Sequence, residues 1–186
     1  MLFSLLWSKL YIPAGYTSND SMKKNIAIIM GGFSSEYPIS LKSAKVVHSY
    51  PDPQKYNRYR ILISREKWVY VDEEGNEHPV NRHDFSVSVG NQRVTFDCVF
   101  NAIHGSPGED GYMQAYLELL GIPQTSCDHY QAALTFNKRD LLSVLKPYGI
   151  KAAASYYLNK GDLIDEEAIL QKVGLPCFVK ANKAGS

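Results

Sequence analysis

The sequence predicts an α/β fold, with a mostly parallel sheet carrying hairpins on one edge and the first elements of a second, α+β unit behind it. Three observations predict it. Two apolar runs, Asn25–Met30 and Asp97–Ile103, have the length and composition of strands buried on both faces. Each run ends in a glycine-rich turn followed by a segment of helical period, which makes a βα unit. Between them, residues 67–96 change to short alternating or β-branched runs separated by turn signals, the pattern of antiparallel hairpins.

The composition is that of an ordinary soluble protein. Of 186 residues, 45% are apolar and 21% charged, enough for a sizeable core. With 20 basic and 19 acidic residues the net charge is +1, so bulk electrostatics supports neither nucleic acid nor a membrane surface as partner. The three cysteines, Cys98, Cys127 and Cys177, are far apart and lack metal-ligand spacing. Cys98 and Cys177 fall in apolar runs and read as small buried hydrophobes, which fits a reducing cytoplasm. The five histidines are scattered without pairing on one helix face, so no metal constellation is expected.

Taken in order, residues 1–21 are expected to be an extension, non-native or poorly ordered, with Met22 as the natural start. The apolar run Met1–Trp7 is too short to span a bilayer and lacks the basic flank of a signal peptide; an anchoring helix is the alternative. Asn25–Met30 is the first strand and residues 31–36 its turn. Pro38 suits the first turn of a helix that carries Leu41, Ala44 and Val47, and Pro51 and Pro53 stop it. Tyr59–Ile63 is the second strand. After the hairpins come the strand Asp97–Ile103, the turn His104–Gly111, a helix over Tyr112–Leu120 and a short strand over Ile122–Thr125. The first domain is thus placed at 22–126. Residues 127–186 read as an incomplete second domain. It holds short helices over Tyr130–Phe136 and Lys138–Leu145, a strand over Ala152–Leu158, a helix capped by Asp165, and a strand over Cys177–Lys180. A strand and a glycine turn with nothing after them imply a fragment of a longer protein.

The turns carry the candidate chemistry. In an α/β fold, ligands bind where strands end in such turns. Residues 104–111 hold three glycines, one imidazole and two carboxylates. Glycines let backbone approach a ligand, and a helix N-terminus offers free N–H groups. His104 can orient a substrate near neutral pH or play a purely structural part. Glu109 and Asp110 read as acids at the N-terminus of the next helix. Glu36 sits just past the first strand, where it can meet an ammonium or simply face water. Lys138 opens a helix and Lys180 ends an apolar run, positions suited to phosphate neutralisation. The spacing around Gly31 is not that of a dinucleotide fingerprint.

In order, Gly31-Gly32-x-Ser34-x-Glu36-x-x-Ile39-Ser40, His104-Gly105-x-x-Gly108-Glu109-Asp110-Gly111, Gly121-Ile122-Pro123, Asn137-Lys138 and Val179-Lys180-x-x-x-x-Gly185-Ser186 resemble the D-alanine–D-alanine ligase family of ATP-grasp enzymes. The resemblance runs from Met22 to the end. It implies a Rossmann-like, pre-ATP-grasp N-terminal domain and the start of an ATP-grasp domain. It implies ATP-dependent joining of two D-alanines through an acyl phosphate, for cell-wall precursor synthesis, with magnesium (or manganese) bridging the phosphates. Glu36 would hold the ammonium of the first D-alanine and Ser40 would support that turn. His104 and Gly105 would lie against the substrate, and Lys138 and Lys180 would contact ATP phosphates. Ser186 would join Glu36 in a hydrogen-bonded catalytic group. The family's metal ligands lie beyond Ser186, so none is expected in this chain, which alone should be inactive. The resemblance also implies a homodimer through the N-terminal domain. Ala181 stands where the family has proline. Two alternatives stay open: a D-alanine–D-lactate or other ATP-grasp ligase, and a non-catalytic dimerisation or binding module.

Overall fold

The computed structural model describes residues 23–184. The expectations for residues 1–21, for Met22 as the start and for Ser186 lie outside these residues.

A seven-stranded sheet carries the fold, in the order β6-β5-β4-β3-β2-β1-β7. Its strands are β1 (Lys24–Gly31), β2 (Tyr56–Ile63), β3 (Trp68–Val71), β4 (Glu77–Asn81), β5 (Ser86–Val89), β6 (Gln92–Val94) and β7 (Cys98–Asn101). The central strand β1 is parallel to β2 on one side and to β7 on the other. From β2 outwards the pairing is antiparallel, because β3 to β6 are joined by hairpins. The expected edge hairpins are therefore one continuous extension of the same sheet.

From Ile26 onwards β1 is apolar because both its faces are covered. Ala27 and Ile29 point into a core shared with Phe85, Met113 and Leu117, so helix α2 (Tyr112–Leu119) covers that face. Ile28 and Met30 point the other way, against Ala44 and Leu41 of helix α1 (Tyr37–Ser49). Alternate residues of a strand face opposite sides, so one apolar run feeds two cores. Pro38 does occupy the first turn of α1, and the helix ends before Pro51.

The Ile122–Thr125 segment runs alongside β7, where Val99 donates to the Pro123 carbonyl at 2.8 Å and accepts from Thr125 N–H at 3.1 Å. It makes a single bridge rather than a strand. Helices α3 (His129–Phe136), α4 (Lys138–Leu145) and α5 (Glu166–Val173) follow the sequence pattern closely. Asp128, Asn137 and Asp165 cap them by accepting backbone N–H groups. The strands expected over Ala152–Leu158 and Cys177–Lys180 are not formed. Both segments are largely exposed; Phe178 and Val179 are 93% and 97% exposed, and no described strand lies beside them to share a hydrogen-bond ladder. Cys177 is accordingly exposed rather than a core residue, and Cys98 is half-buried.

The hairpin extension has its own acid sensitivity. The His78 imidazole, bonded to Asp72 at 2.9 Å, together with Asn76, holds the Asp72 carboxyl at about 2 against an ordinary 3.8. The Ser86 hydroxyl and backbone, with Arg93, hold Asp84 likewise at about 2. Both folded values lie below the unfolded one, so their stabilisation is complete above about pH 4 and is lost as pH falls towards 2. Denaturant midpoints measured from pH 5 to pH 2 should therefore fall less steeply in the Asp72→Asn, Asp84→Asn double variant than in the parent.

Candidate active site at the switch point of the sheet

From β1 the chain crosses by α1 to β2 on one side, then returns by β7 to the other. The carboxyl ends of β1 and β7 are thus neighbours at the point where strand order reverses, the place where open α/β sheets bind ligands. The two turns singled out in the sequence follow these ends and meet there.

They meet backbone to backbone. Phe33 N–H donates to the Ser106 carbonyl at 2.7 Å, and the Ser34 hydroxyl donates to the His104 carbonyl at 2.9 Å. Glycine makes this approach possible. A Cβ on Gly32 would lie 2.7 Å from Cγ2 of Ile103, and one on Gly105 would lie 2.8 Å from Cβ and Oγ of Ser34; both glycines have φ near +100° or +73°. Glu36 N–H donates to Ser34 Oγ at 3.2 Å, which fixes where the glutamate leaves the turn.

Ser40 lies beneath this junction, 0% exposed. Its hydroxyl accepts from Gly31 N–H and donates to the Ala102 carbonyl, both at 2.8 Å, tying the end of β1 to the chain leaving β7. It lines neither cavity described below. Ser40→Ala strands a buried donor and a buried acceptor and should cost about 2 kcal/mol of stability, measurable by denaturant unfolding.

Two cavities open on the junction. One, of about 570 Å3, is lined by Ser34, Glu36, Gly105, Asp110, Tyr112 and Lys183. The other, of about 580 Å3, is lined by Ser43, His104, Glu109, Gln114, Cys127 and Lys138. Phe136 and Ala184 form walls of both. The Glu36 carboxylate has no hydrogen-bond partner among the described residues. Lys138 donates from Nζ to the Ala184 carbonyl at 2.7 Å, and its backbone N–H donates to the Asn182 carbonyl. Segment 182–184 is thereby held on the N-terminus of α4.

The predicted residues thus divide. Glu36 and Gly105 share one cavity, His104 and Lys138 the adjoining one, and Ser40 holds the floor. Lys180 is exposed, lines neither cavity and sits 5.8 Å from the ring centroid of Phe178, because the strand expected to aim it inward is not formed. Ser186 is outside the described residues. The acids of the second turn do not cap α2. Gly111 occupies the N-cap with no side-chain cap, and Glu109 turns back to accept from Gly105 N–H at 2.8 Å, bracing the loop. One oxygen of Asp110 is buried without a partner among the described residues. No group of three or more His, Cys, Asp or Glu side chains among the described residues could hold a metal ion.

Three residues at the site were not singled out from sequence. Asn101 donates to the Gly108 carbonyl at 2.6 Å and accepts from Ile103 N–H at 3.1 Å, and Gln114 donates to the same Gly108 carbonyl at 2.6 Å. Ser43 bonds His104 Nε2 at 3.0 Å. Only Ser43 had a sequence signal: it lies three residues after Ser40, on the same helix face.

Comparison with known proteins identifies relatives of this chain. A family model described as the D-ala D-ala ligase N-terminus matches residues 25–127. The D-alanine--D-alanine ligase of Flavobacterium johnsoniae is 71% identical over 163 residues, covering 88% of this chain and 50% of that protein. The structure of the D-alanine-D-alanine ligase from Coxiella burnetii superposes with a TM-score of 0.72 at 28% identity, over 88% of this chain and 52% of that one. That of the D-alanine--D-Alanine Ligase from Bacillus anthracis, complexed with ATP, gives 0.62 at 25% identity, over 87% and 48%. The chain spans about half the length of the curated relatives it matches. With 103 of its residues matched by the family model and the two turns of that region joined at the switch point, the chain belongs to the D-ala D-ala ligase N-terminus family.

Proposed function

We propose that this chain supplies the site for the first D-alanine, and part of the phosphate-binding surface, of an ATP-dependent D-alanine–D-alanine ligase. The observation that carries the reading is the Glu36 carboxylate. It lies in a cavity at the switch point that Ser34, Gly105 and Lys183 also line, without a hydrogen-bond partner among the described residues, and so is available to an ammonium. The domain division at 126/127 belongs to the same reading.

The residues fit an anionic cosubstrate on the neighbouring side. Lys138 has three donors and one of them is used by the Ala184 carbonyl, leaving two for phosphate oxygens. ATP supplies the phosphoryl group that activates the first carboxylate. Around it, Glu36 holds the substrate amine, His104 donates towards the substrate carboxylate, and Lys138 balances charge that spreads over the transferring oxygens. Lys180, Ser186, magnesium and the cytoplasmic setting enter this proposal through the family resemblance. The unpaired cysteines support the last of these, and among the described residues no helix is long and apolar enough to cross a membrane.

A homodimer through the N-terminal domain is part of the proposal. Ile39 and Val46 of α1, and Tyr50 at its C-cap, are exposed apolar side chains, the kind of surface a second copy covers. Sedimentation of this chain should give twice its 20.9 kDa mass.

The reaction is tested by joining this chain to the remaining half of the Flavobacterium johnsoniae relative. ADP release with ATP, magnesium and D-alanine is measured beside this chain alone. Turnover in the joined protein and none in the chain alone is the expected result. Silence with D-alanine and turnover with D-alanine plus D-lactate would move the proposal to a different second substrate.

A further inference from the structure

Helix α1 presents two serines, Ser40 and Ser43, on the face that meets the site. Ser40 is spent on the backbone of the junction. Ser43 has one hydrogen-bond partner among the described residues, Nε2 of His104 at 3.0 Å. We propose that Ser43 is a positioning residue that fixes His104 as the neutral tautomer with its proton on Nδ1; the consequence for substrate rests on the reading above.

A helical serine commonly returns its proton to the carbonyl one turn back. Ser43 makes no such bond to Ile39, although Ser143 does bond back to the Arg139 carbonyl at 2.9 Å and Thr135 to the Gln131 carbonyl at 2.7 Å. With no carbonyl one turn back taking it, the Ser43 proton is, in this proposal, given to Nε2. A ring nitrogen that accepts carries no proton, and in a neutral imidazole the proton is then on the other nitrogen. Nδ1 has no partner among the described residues. The ring is held at its backbone too, since the His104 carbonyl accepts from Ser34.

Free neutral histidine prefers its proton on Nε2. A ring presented with Nε2–H would offer an incoming carboxylate a bare Nδ1 lone pair and repel it. With the Ser43 hydroxyl donating to Nε2, Nδ1–H is left as the donor that His104 can offer a carboxylate oxygen.

The test is made on this chain, labelled with 15N, by long-range correlation of the His104 ring nitrogens and by titration with D-alanine. The parent chain should show a protonated Nδ1 and a bare Nε2. Ser43→Ala should shift His104 towards the Nε2–H form and weaken D-alanine binding about tenfold, the scale of one hydrogen bond. Ser43→Thr, which keeps the hydroxyl, should restore both readouts. An Nε2–H majority in the parent, or a Ser43→Ala chain with unchanged ring shifts, overturns the proposal. If D-alanine fails to bind the parent chain, the reading of the site falls, while the ring shifts still decide the role of Ser43. Unchanged backbone spectra in the variants guard against a folding artefact.

Discussion

In the Glu36→Gln chain, D-alanine affinity is expected to fall about a hundredfold, the order of magnitude for removing one partner of a half-buried charge pair. The substitution keeps size and removes charge only. Glu36 makes no side-chain hydrogen bond among the described residues, so no fold contact is lost with it. Its thermal unfolding should match that of the parent. Lys42→Ala, at an exposed position of α1 that lines neither cavity, should bind as the parent does. Titration calorimetry of the two variants separates the charge of residue 36 from a change of charge elsewhere on the surface. Equal affinity in the Glu36→Gln chain would remove the ammonium-binding role and with it the substrate assignment.

The largest effect on stability is expected at Phe85. It is 0% exposed, packs edge-on or tilted against Trp68, Phe96 and Tyr116, and belongs to the core that α2 covers. Phe85→Ala should cost about 4 kcal/mol, as expected for emptying an aromatic site in a core. In a chain of this size that lowers Tm by roughly 10 °C. The backbone adds a second, sharper expectation. Phe85 is the one non-glycine residue at positive φ among those described, at +57°. A left-handed backbone costs an L side chain roughly 1–2 kcal/mol and glycine almost nothing. Phe85→Gly should therefore be more stable than Phe85→Ala, the reverse of the usual ranking. Differential scanning calorimetry of the two variants decides this, and a less stable glycine variant would show that the position carries no strain.

Phe85 also marks where sequence reading stops. The apolar runs of β1 and β7 were legible because a strand covered on both faces has no polar side to disguise it. The glycines of both turns were legible because close backbone approach leaves no room for anything else. Phe85 sits between Asp84 and Ser86 in what reads as a polar turn, and nothing local shows that its backbone swings the ring inward. The strands expected at Ala152–Leu158 and Cys177–Lys180 fail for the opposite reason. Their local pattern favours extended backbone, but a strand is completed by a neighbour's hydrogen bonds, and none of the described strands lies there. The position of Lys180 fails with its strand. Glu109 and Asp110 show a nearer competition: acids before a helix favour its N-terminus, but Gly111 takes the cap, and the free Gly105 N–H is a closer donor for Glu109.

The order of strands in the sheet has a consequence in time. Ile26 of β1 pairs with Arg58 of β2, 32 residues on, but on its other side with Cys98 of β7, 72 residues on. A chain leaving the ribosome can complete the first pairing while the second partner is still unmade, and the longer closure carries the larger entropy cost. The groove between the ends of β1 and β7, with Glu36 on one bank and Gly105 on the other, is thus assembled late in synthesis. Until then the β7 edge of β1, apolar and unpaired, is open to any strand that meets it first.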